Sequence, residues 1–340
     1  MSYKLTFCIP VYNRAGYLGE TLDSIIAQAT DEIQIVISDN ASTDNTREVV
    51  FEAQKKFKNI EYFCWDENQG ADRNYLKTVE LASGEYCWFL GSDDTIDKQA
   101  IKRILTEIQL ACDIYLCSEY LCDLNMKPYA IHYLLDEKVD DRIFDFNNDS
   151  ELYEYFTLAQ SQSALFGYLS SIIFKREKWN RITYDETYTG TLYSHMFMLY
   201  SFIEHGCKIK YIKEPLVFWR SGNDSFGGAG KIQSRYLVDI DGFKKIMDDF
   251  FTGKEKILDA FKGVFRRHHP LRNIAYLRLN VKKKEDWLSI EQKLLNDYNY
   301  DKVQIKLLKC QCVRPILYLL FLGHRVLKRI RRTLFSVKKQ

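Results

Sequence analysis

Two adjacent carboxylates, Asp93 and Asp94, follow a run of residues with the pattern of a buried strand. Residues 86–90 are apolar or aromatic without a polar break, and ligands of open α/β sheets lie beyond the carboxyl ends of such strands. Neighbouring carboxylates repel each other unless a cation joins them, and Mg²⁺ or Mn²⁺ bridging to a diphosphate would do so. The alternative is that the pair caps a helix beginning near Asp97.

Two further polar clusters could contact a ligand. Asp39 and Asn40 end a second predicted strand, where a carboxylate can accept hydrogen bonds from a base or a ribose; the alternative is a turn with a helix N-cap. Arg73, preceded by Asn68, begins a predicted helix and suits a diphosphate by its charge, the alternative being a solvated helix start. Three such clusters in one unit favour a ligand site over coincidence.

Alternating strands and helices must position these clusters. Strand patterns cover 5–11, 32–38, 60–65 and 85–92, and helix patterns cover 16–28 and 44–57. This alternation predicts a mostly parallel sheet in which the ends of strands one, two and four meet at one edge. The pattern weakens between 113 and 149, after which strands and a helix are predicted at 168–174, 194–204, 208–213 and 215–220.

Composition limits the classes of function. With 340 residues, 46% of them hydrophobic, the chain can form one large α/β domain with a smaller addition. The net charge of +2 argues against a nucleic-acid partner. Nine cysteines without a regular framework, and an N-terminus without a signal-peptide layout, predict reduced thiols in the cytoplasm. No strand is followed by a dinucleotide-binding or P-loop glycine motif.

Four segments in order, 7–14, 37–44, 68–74 and 89–94, resemble the nucleotide-sugar domain of family 2 glycosyltransferases. The resemblance implies an α/β GT-A fold, Rossmann-like with a mostly parallel central sheet, a nucleotide-diphosphate sugar donor and a divalent cation. It implies that Arg73 faces the donor and that the base and ribose are surrounded by Pro10, Tyr12, Asn13, Asp39 and Asn40. The other substrate-binding candidates are Arg14, Asn68, Ser92 and Arg220.

The metal motif departs from the family pattern at one position. The family's Asp-x-Asp usually begins where this chain has Gly91. The resemblance therefore implies that Asp93 is the metal ligand, and it leaves Asp94 as a helper or a cap.

A narrower similarity covers the segments 168–173, 188–195 and 220–225, which resemble the abequosyltransferases of bacterial O-antigen synthesis. That group moves a dideoxyhexose from a CDP-sugar to a lipid-linked oligosaccharide. The resemblance therefore implies a CDP-sugar donor and a lipid-linked glycan acceptor.

The resemblance also directs the search for a general base. In the family an aspartate at a helix start precedes a glycine, a strand and an aromatic-Arg pair, and here counting back eleven residues from Gly206 reaches His195. We hypothesise that His195 is the base, because imidazole titrates near neutrality; alternatively it only hydrogen-bonds acceptor hydroxyls. Asp185 and Glu186 are reserve candidates. Arg220 either pairs with the diphosphate or with a carboxylate of the fold.

The C-terminal segment is strongly basic, with eleven Lys or Arg and no Asp or Glu from residue 302 to 340. The seven apolar residues 316–322 are too few to span a bilayer. Residues 323–335 can form a basic amphipathic helix that suits an anionic membrane surface, or one that packs on the domain or another subunit. We expect a cytoplasmic protein, peripheral at the inner face of the cell membrane.

These observations divide the chain into a nucleotide-sugar half (1–112), an acceptor half (113–235) and a helical C-terminal region (236–340). The leading function is a metal-dependent glycosyltransferase. One alternative is a sugar nucleotidyltransferase, against which the lack of a glycine-rich, lysine-containing loop near the N-terminus argues. Another is a non-catalytic protein that binds nucleotide sugars or membrane surfaces. The sequence leaves the oligomeric state open.

Overall fold

The computed structural model describes residues 3–223, 232–281 and 283–308, together with Leu319. This part of the chain is a mixed α/β unit built on a ten-stranded sheet. The strands are β1 (Leu5–Val11), β2 (Ile33–Asp39), β3 (Ile60–Cys64), β4 (Tyr86–Phe89), β5 (Thr95–Ile96), β6 (Ile114–Cys122), β7 (Pro128–His132), β8 (Arg142–Asp145), β9 (Ile172–Lys175) and β10 (Lys208–Arg220).

Helices cover both faces of the sheet and form the C-terminal region. They are α1 (Ala15–Ile26), α2 (Thr46–Lys56), α3 (Ala71–Glu80), α4 (Ala100–Glu107), α5 (Asp149–Leu158), α6 (Arg176–Trp179), α7 (Ser194–Glu204), α8 (Ile232–Phe250), α9 (Glu255–His268), α10 (Leu271–Asn280), α11 (Lys284–Asn296) and α12 (Lys302–Leu307).

The first four strands form the parallel part of the sheet. β1 lies between β2 and β4, and β3 lies beyond β2, all in the same direction. Val11 pairs with Asp39, and Cys8 pairs with Phe89, so the carboxyl ends of β1, β2 and β4 share one edge. The prediction of a mostly parallel α/β sheet with these ends together is confirmed.

The second half of the sheet is mixed. β9 lies antiparallel between β4 and β6, while β6 and β10 are parallel. The weakly patterned segment after residue 113 contains three strands, β6, β7 and β8. The two strands predicted at 208–213 and 215–220 are one strand, β10, whose register shifts around Pro215 because proline has no N–H to donate. The strand predicted at 168–174 begins only at Ile172, after a 3₁₀ turn at Leu169–Ser171.

Strand alternation separates two hydrophobic clusters. In β4, Tyr86 and Trp88 pack on the face covered by α1, α2 and α4, whereas Cys87 and Phe89 pack on the opposite face. That opposite face is covered by α3, α5 and α7 and by the C-terminal helices α8 to α12, which contribute buried residues to one continuous cluster. The C-terminal helices therefore belong to the same core as the sheet.

Two predictions concern the C-terminal region. Within the described ranges, no helix is long and apolar enough to cross a membrane. The predicted basic amphipathic helix at 323–335 lies outside the described residues. The division at residues 112 and 235 stays a prediction, and β9 from the second segment inserts directly beside β4 from the first.

Candidate functional site

A cavity of about 1220 Å³ opens at the carboxyl ends of β1, β4, β6 and β10. Its walls come from the loops after these strands, from the turns at 162–170, and from α7 and the C-terminal helices. Most of the site residues singled out from the sequence line it, namely Pro10, Tyr12, Asn13, Arg14, Asn40, Asn68, Ser92, Asp93, Asp94, His195 and Arg220.

Asp93 is the carboxylate that the sheet edge presents to this cavity. Its Oδ2 accepts a hydrogen bond from Nδ2 of Asn223 at 2.6 Å. Burial raises the pKa of Asp93, whereas the positive charges of Arg14 and Arg220 and the Asn223 bond act against that rise. A partly buried carboxylate in a cleft, with a pKa shifted by burial and by specific charged neighbours, is a candidate ligand-binding group.

Asp94 has a different role, because its carboxylate is buried and already satisfied. Oδ2 accepts from the hydroxyls of Tyr168 and Ser170, both at 2.6 Å, and Oδ1 accepts from the backbone N–H of Arg220 at 3.0 Å. Burial and the charge of Asp93 raise the pKa of Asp94 to about 7. Asp94 therefore joins β4, β9 and β10 at the floor of the cavity.

Gly91 is tied to this arrangement by lack of space. A Cβ at this position would lie 2.7 Å from Oδ2 of Asp94 and 3.2 Å from Oγ of Ser170. No side chain fits there while Asp94 keeps its partners, which accounts for the departure from the family motif. The alternative that the two aspartates cap a helix is wrong, because β5 separates Asp94 from α4.

The residues fit a divalent cation only together with a phosphate ligand. Among the described residues there is no group of three or more His, Cys, Asp or Glu side chains able to hold a metal. Mg²⁺ at nucleotide sites is bound through one or two carboxylates plus substrate phosphates, with water completing its octahedron. Asp93 can supply the one carboxylate that such a site needs, since the oxygens of Asp94 already accept three hydrogen bonds.

Arg220 lines the cavity, but its guanidinium is engaged by the fold. Nε donates to the carbonyl of Asp93 at 2.8 Å, and the other two nitrogens donate to the carbonyl of Leu124 and to the carboxylate of Glu20. The group also lies 4.9 Å from the ring centre of Tyr17. Of the two alternatives for Arg220, the structure shows the pairing with a carboxylate of the fold, so Arg220 shapes the backbone at Asp93.

Asparagines fix the loops at one side of the cavity. Asn13 adopts a left-handed φ of 53°, and its Oδ1 accepts from the N–H of Thr43 at 2.8 Å. Asn40 accepts from the N–H of Gln69 at 2.8 Å and donates to Oδ1 of Asn68 at 2.9 Å. Tyr12 is 45% exposed at the mouth, so its ring offers a flat face to a ligand.

Two predicted donor-binding residues do not line the cavity. Asp39 is buried, and its oxygens accept from the hydroxyl of Tyr62 at 2.7 Å and the N–H of Ser42 at 2.8 Å, which is the turn arrangement given as the alternative. Arg73 is half exposed, and its guanidinium lies 4.0 Å from Glu186. In the described structure Arg73 therefore faces Glu186 instead of the cavity.

The reserve base candidates also lie outside the cavity. Asp185 is exposed and accepts from the N–H of Thr187 at 2.9 Å, a bond that lowers its pKa. Glu186 accepts from the hydroxyl of Thr189 at 2.9 Å. Neither carboxylate is among the residues that line the cavity.

His195 reaches the cavity from the first turn of α7 and is only 3% exposed. Nε2 lies 2.9 Å from the carbonyl oxygen of Phe166, while Nδ1 is buried without a hydrogen-bond partner among the described residues. Burial lowers the pKa of His195 to about 4, partly opposed by the Phe166 bond and the charge of Asp72. The ring is therefore neutral at physiological pH.

Asp72 positions the start of α7. Its carboxylate accepts from the backbone N–H groups of Gly190 and Leu192, each at 2.9 Å, and of Ser194 at 3.0 Å. Three N–H bonds to one buried carboxylate satisfy donors that the helix start would otherwise leave unpaired. The loop before His195 is thereby attached to α3.

Sequence reasoning missed several residues at this site. Asp72, Tyr168 and Ser170 lie inside segments that carried the resemblance, so position in those segments was the available signal. Further cavity residues come from the C-terminal helices, where no motif marked them; they are Arg235, Tyr236, Asp239, His268, His269 and Asn273.

Comparison with known proteins identifies the family. Residues 6–177 match the family described as Glycosyl transferase family 2. The abequosyltransferase RfbV of Salmonella typhimurium is 39% identical over 273 residues, which cover 78% of this chain and 81% of RfbV.

Solved glycosyltransferase structures share the GT-A fold. Residues 1–349 of TarS from S. aureus in complex with UDP-GlcNAc superpose with a TM-score of 0.62 at 17% identity, covering 98% of this chain and 89% of TarS 1–349. The mannosyltransferase PcManGT of Pyrobaculum calidifontis, in complex with GDP-Man and Mn²⁺, gives a TM-score of 0.57 at 15% identity, covering 100% of this chain and 87% of PcManGT. On the family match and the identity to RfbV, the chain belongs to glycosyl transferase family 2.

Proposed function

We propose that this protein transfers a hexose, a dideoxyhexose such as abequose being favoured, from a nucleotide-diphosphate sugar to a hydroxyl of a lipid-linked oligosaccharide. The observation that carries the proposal is that Asp93 and His195, whose Nδ1 has no hydrogen-bond partner among the described residues, line one cavity at the carboxyl edge of the sheet. The 39% identity to an abequosyltransferase supports a CDP-sugar as the donor. The product would serve O-antigen or other surface polysaccharide synthesis.

His195 has the geometry of a proton acceptor. Because a carbonyl oxygen only accepts, the bond to Phe166 places the ring proton on Nε2 and leaves a lone pair on Nδ1. With its pKa lowered to about 4, the imidazole is about as basic as an ordinary carboxylate, the group that family resemblance implies at this position. Nδ1 can take the proton of the attacking hydroxyl while Nε2 keeps its bond, and the charge of Asp72 favours the resulting cation.

The opposite side of the cavity suits the leaving diphosphate. A Mg²⁺ or Mn²⁺ ion held by Asp93 would neutralise the charge that develops on this group. Arg14 lies beside Asp93 in the same wall and adds a fixed positive charge. Tyr12, Asn13 and Asn40 would then surround the base and ribose at the open end.

A lipid-linked acceptor places the reaction at a membrane surface. The eleven basic residues from 302 to 340 would bind the anionic inner face of the cell membrane from the cytoplasm. We expect the full chain to sediment with liposomes that contain phosphatidylglycerol, less so at high salt. Replacing Arg329, Arg331 and Arg332 by glutamate should abolish sedimentation, and unchanged sedimentation of that variant would contradict the membrane role.

A donor screen tests the function itself. CDP-, UDP-, GDP- and dTDP-sugars are compared for protection against thermal unfolding with and without Mn²⁺, followed by a transfer assay with each stabilising donor. We expect selective, metal-dependent stabilisation by CDP compounds, and transfer that Asp93→Asn abolishes and the exposed Asp31→Asn leaves intact. A protein that binds a donor but neither transfers the sugar nor hydrolyses the donor would instead be a non-catalytic binding protein.

A further inference from the structure

One wall of the cavity comes from helices outside the segment that matches the family. The matching segment ends at residue 177, whereas α8, α9 and α10 follow it by more than fifty residues. Gln162 lines the cavity together with five polar or aromatic residues of this C-terminal region, namely Arg235, Tyr236, Asp239, His269 and Asn273. We call these six residues the C-terminal wall.

A buried polar atom without a partner marks this wall as a binding surface. His269 is 5% exposed, and its Nε2 lies 3.0 Å from Nε2 of Gln162, so its ring is fixed. Its Nδ1 is buried and has no hydrogen-bond partner among the described residues. Leaving such a buried atom unpaired is destabilising. Because the amide nitrogen of Gln162 only donates, the neutral ring accepts at Nε2 and carries its proton on Nδ1, which a ligand hydroxyl can accept.

The charges on the C-terminal wall cancel. Arg235 and Asp239 form an ion pair with 3.2 Å between Nη2 and Oδ1. Burial lowers the pKa of His269 well below its ordinary value, with contributions from His268 and Arg235, so the ring is uncharged. Burial likewise lowers the pKa of His268 to about 3. A polar wall without net charge suits the neutral hydroxyls of a ligand better than its phosphates.

An aromatic ring completes the chemistry of the wall. Tyr236 lines the cavity with its ring centre 4.7 Å from that of His269. Amide and imidazole groups beside a phenol ring can hydrogen-bond the hydroxyls of a sugar and pack against its C–H face. The wall is thus suited to a saccharide.

The wall is continuous with the proposed base. The hydroxyl of Tyr193 donates to Oδ1 of Asp239 at 2.5 Å, and the ring of Tyr193 lies 6.4 Å from that of His195. Oδ2 of Asp239 lies 3.9 Å from Nε2 of His269. A sugar on the wall would therefore have hydroxyls within reach of the same cavity region as Nδ1 of His195.

We propose that the C-terminal wall is the acceptor subsite, which binds neutral sugar residues of the acceptor glycan through His269, Asn273 and Gln162. The proposal rests on the proposed function, since it assigns one substrate of that reaction to these helices. It separates the substrates along the cavity, with the charged donor at Asp93 and Arg14 and the uncharged acceptor at α8 to α10.

Kinetics of matched variants test the subsite. Asn273→Ala and His269→Ala should raise the acceptor KM about tenfold, while the donor Kd and the rate of donor hydrolysis stay within about twofold of wild type. Asn280→Ala, the same change at an exposed position of α10, is the control and should leave all three unchanged. Thermal melting identifies a variant that is simply unfolded; Asn273 is only partly buried and is the safer of the two. Unchanged acceptor KM in folded variants overturns the proposal.

A binding experiment separates the subsite from the reaction. The full chain is applied to an array of neutral tri- and tetrasaccharides beside sialylated ones of the same length. We expect wild type and Asn280→Ala to bind neutral saccharides and Asn273→Ala to lose this binding. If that pattern is seen but no donor supports transfer, the proposed function fails and the subsite stands. Binding of sialylated saccharides only, of none, or of neutral ones equally by Asn273→Ala overturns the subsite.

Discussion

Nε2 of His195 lies 2.9 Å from the carbonyl oxygen of Phe166, and this contact decides which ring nitrogen carries the proton. The carbonyl can only accept, so the proton resides on Nε2 and the lone pair on Nδ1. Phe166 has a left-handed φ of 63° at the end of the turn Gln162–Leu165, which directs its carbonyl. The turn thus orients the ring, and burial keeps it neutral.

Replacing His195 tests its role in proton transfer. His195→Ala should lower kcat by about 10²–10⁴, the usual contribution of a general base, with donor affinity unchanged. His195→Asp should recover part of this loss, because a carboxylate has a pKa near the value of about 4 to which burial lowers the pKa of His195. Wild-type activity should fall only as the pH approaches this value. Near-normal turnover of the alanine variant, with donor bound, would remove His195 from the catalytic role.

Strongly patterned elements could be predicted, whereas β6 could not. β1 and α7 have the predicted bounds, since each has a clear apolar pattern or end signal. β6 instead carries Ser118 and Glu119 fully buried in its middle. His132 lies opposite Glu119 on the neighbouring strand β7, and its Nδ1 stabilises the Glu119 carboxylate at 2.7 Å from Oε2. From sequence alone a carboxylate indicates an exposed position, because the partner that stabilises it when buried comes close only in the folded chain.

The same limit applies to the site. Sequence motifs singled out Asp93 and His195, because each lies at a set spacing from recognisable neighbours, and both residues line the cavity. The role of Arg220 depends on Glu20, two hundred residues away in the chain, and that of Asp72 depends on N–H groups beyond residue 189. Such contacts join distant segments and leave no local periodicity, so sequence patterns could not reveal them.

The two aspartates should separate in function and in stability. Asp93→Asn should lower kcat/KM by at least about 10²-fold by removing the carboxylate proposed to bind the cation, yet leave stability unchanged or higher, because burial disfavours the charge there. Asp94→Asn should instead lower the free energy of unfolding by about 1–3 kcal/mol, since an amide that keeps the bonds from Tyr168 and Ser170 at its oxygen turns its NH2 group toward the backbone N–H of Arg220. Denaturant unfolding and steady-state kinetics check both, and equal effects of the two variants would contradict this division.

Gly91 should resist substitution for lack of space. Gly91→Ala would force its Cβ to within 2.7 Å of Oδ2 of Asp94, so we expect a loss of about 1–3 kcal/mol and reduced activity. Gly91→Asp, which restores the family pattern, should be worse. Gly16→Ala is the control, because nothing lies within 4 Å of its Cβ position in α1 and the helix should gain up to about 1 kcal/mol. Equal melting temperatures of the two alanine variants would contradict the steric argument.

Buried histidines should make stability sensitive to acid. Burial depresses the pKa of His268 from about 6.5 to about 3, so above pH 6.5 neither the folded nor the unfolded state is protonated there. Between these values only the unfolded chain takes up the proton, and stability is lost as the pH falls, by up to about 1.4 kcal/mol per pH unit. His268→Gln should reduce this slope, and His195 and His269, whose pKa values burial also lowers, should keep the remainder. Unfolding curves of both proteins from pH 7 to 4 check it, and parallel pH profiles would contradict it.

Asp72 should act on His195 through position and charge together. Asp72→Asn removes acceptor capacity for the N–H groups of Gly190, Leu192 and Ser194, so we expect about 1–3 kcal/mol less stability and a lower kcat. The charge of Asp72 raises the pKa of His195, so its loss should lower that pKa further below about 4. NMR titration of the His195 ring measures this pKa. A general loosening of the structure would instead raise the pKa of His195, because it would expose the ring to water. Glu80→Gln, at an exposed position of the same helix, should change neither quantity, and an unshifted His195 titration in Asp72→Asn would contradict the coupling.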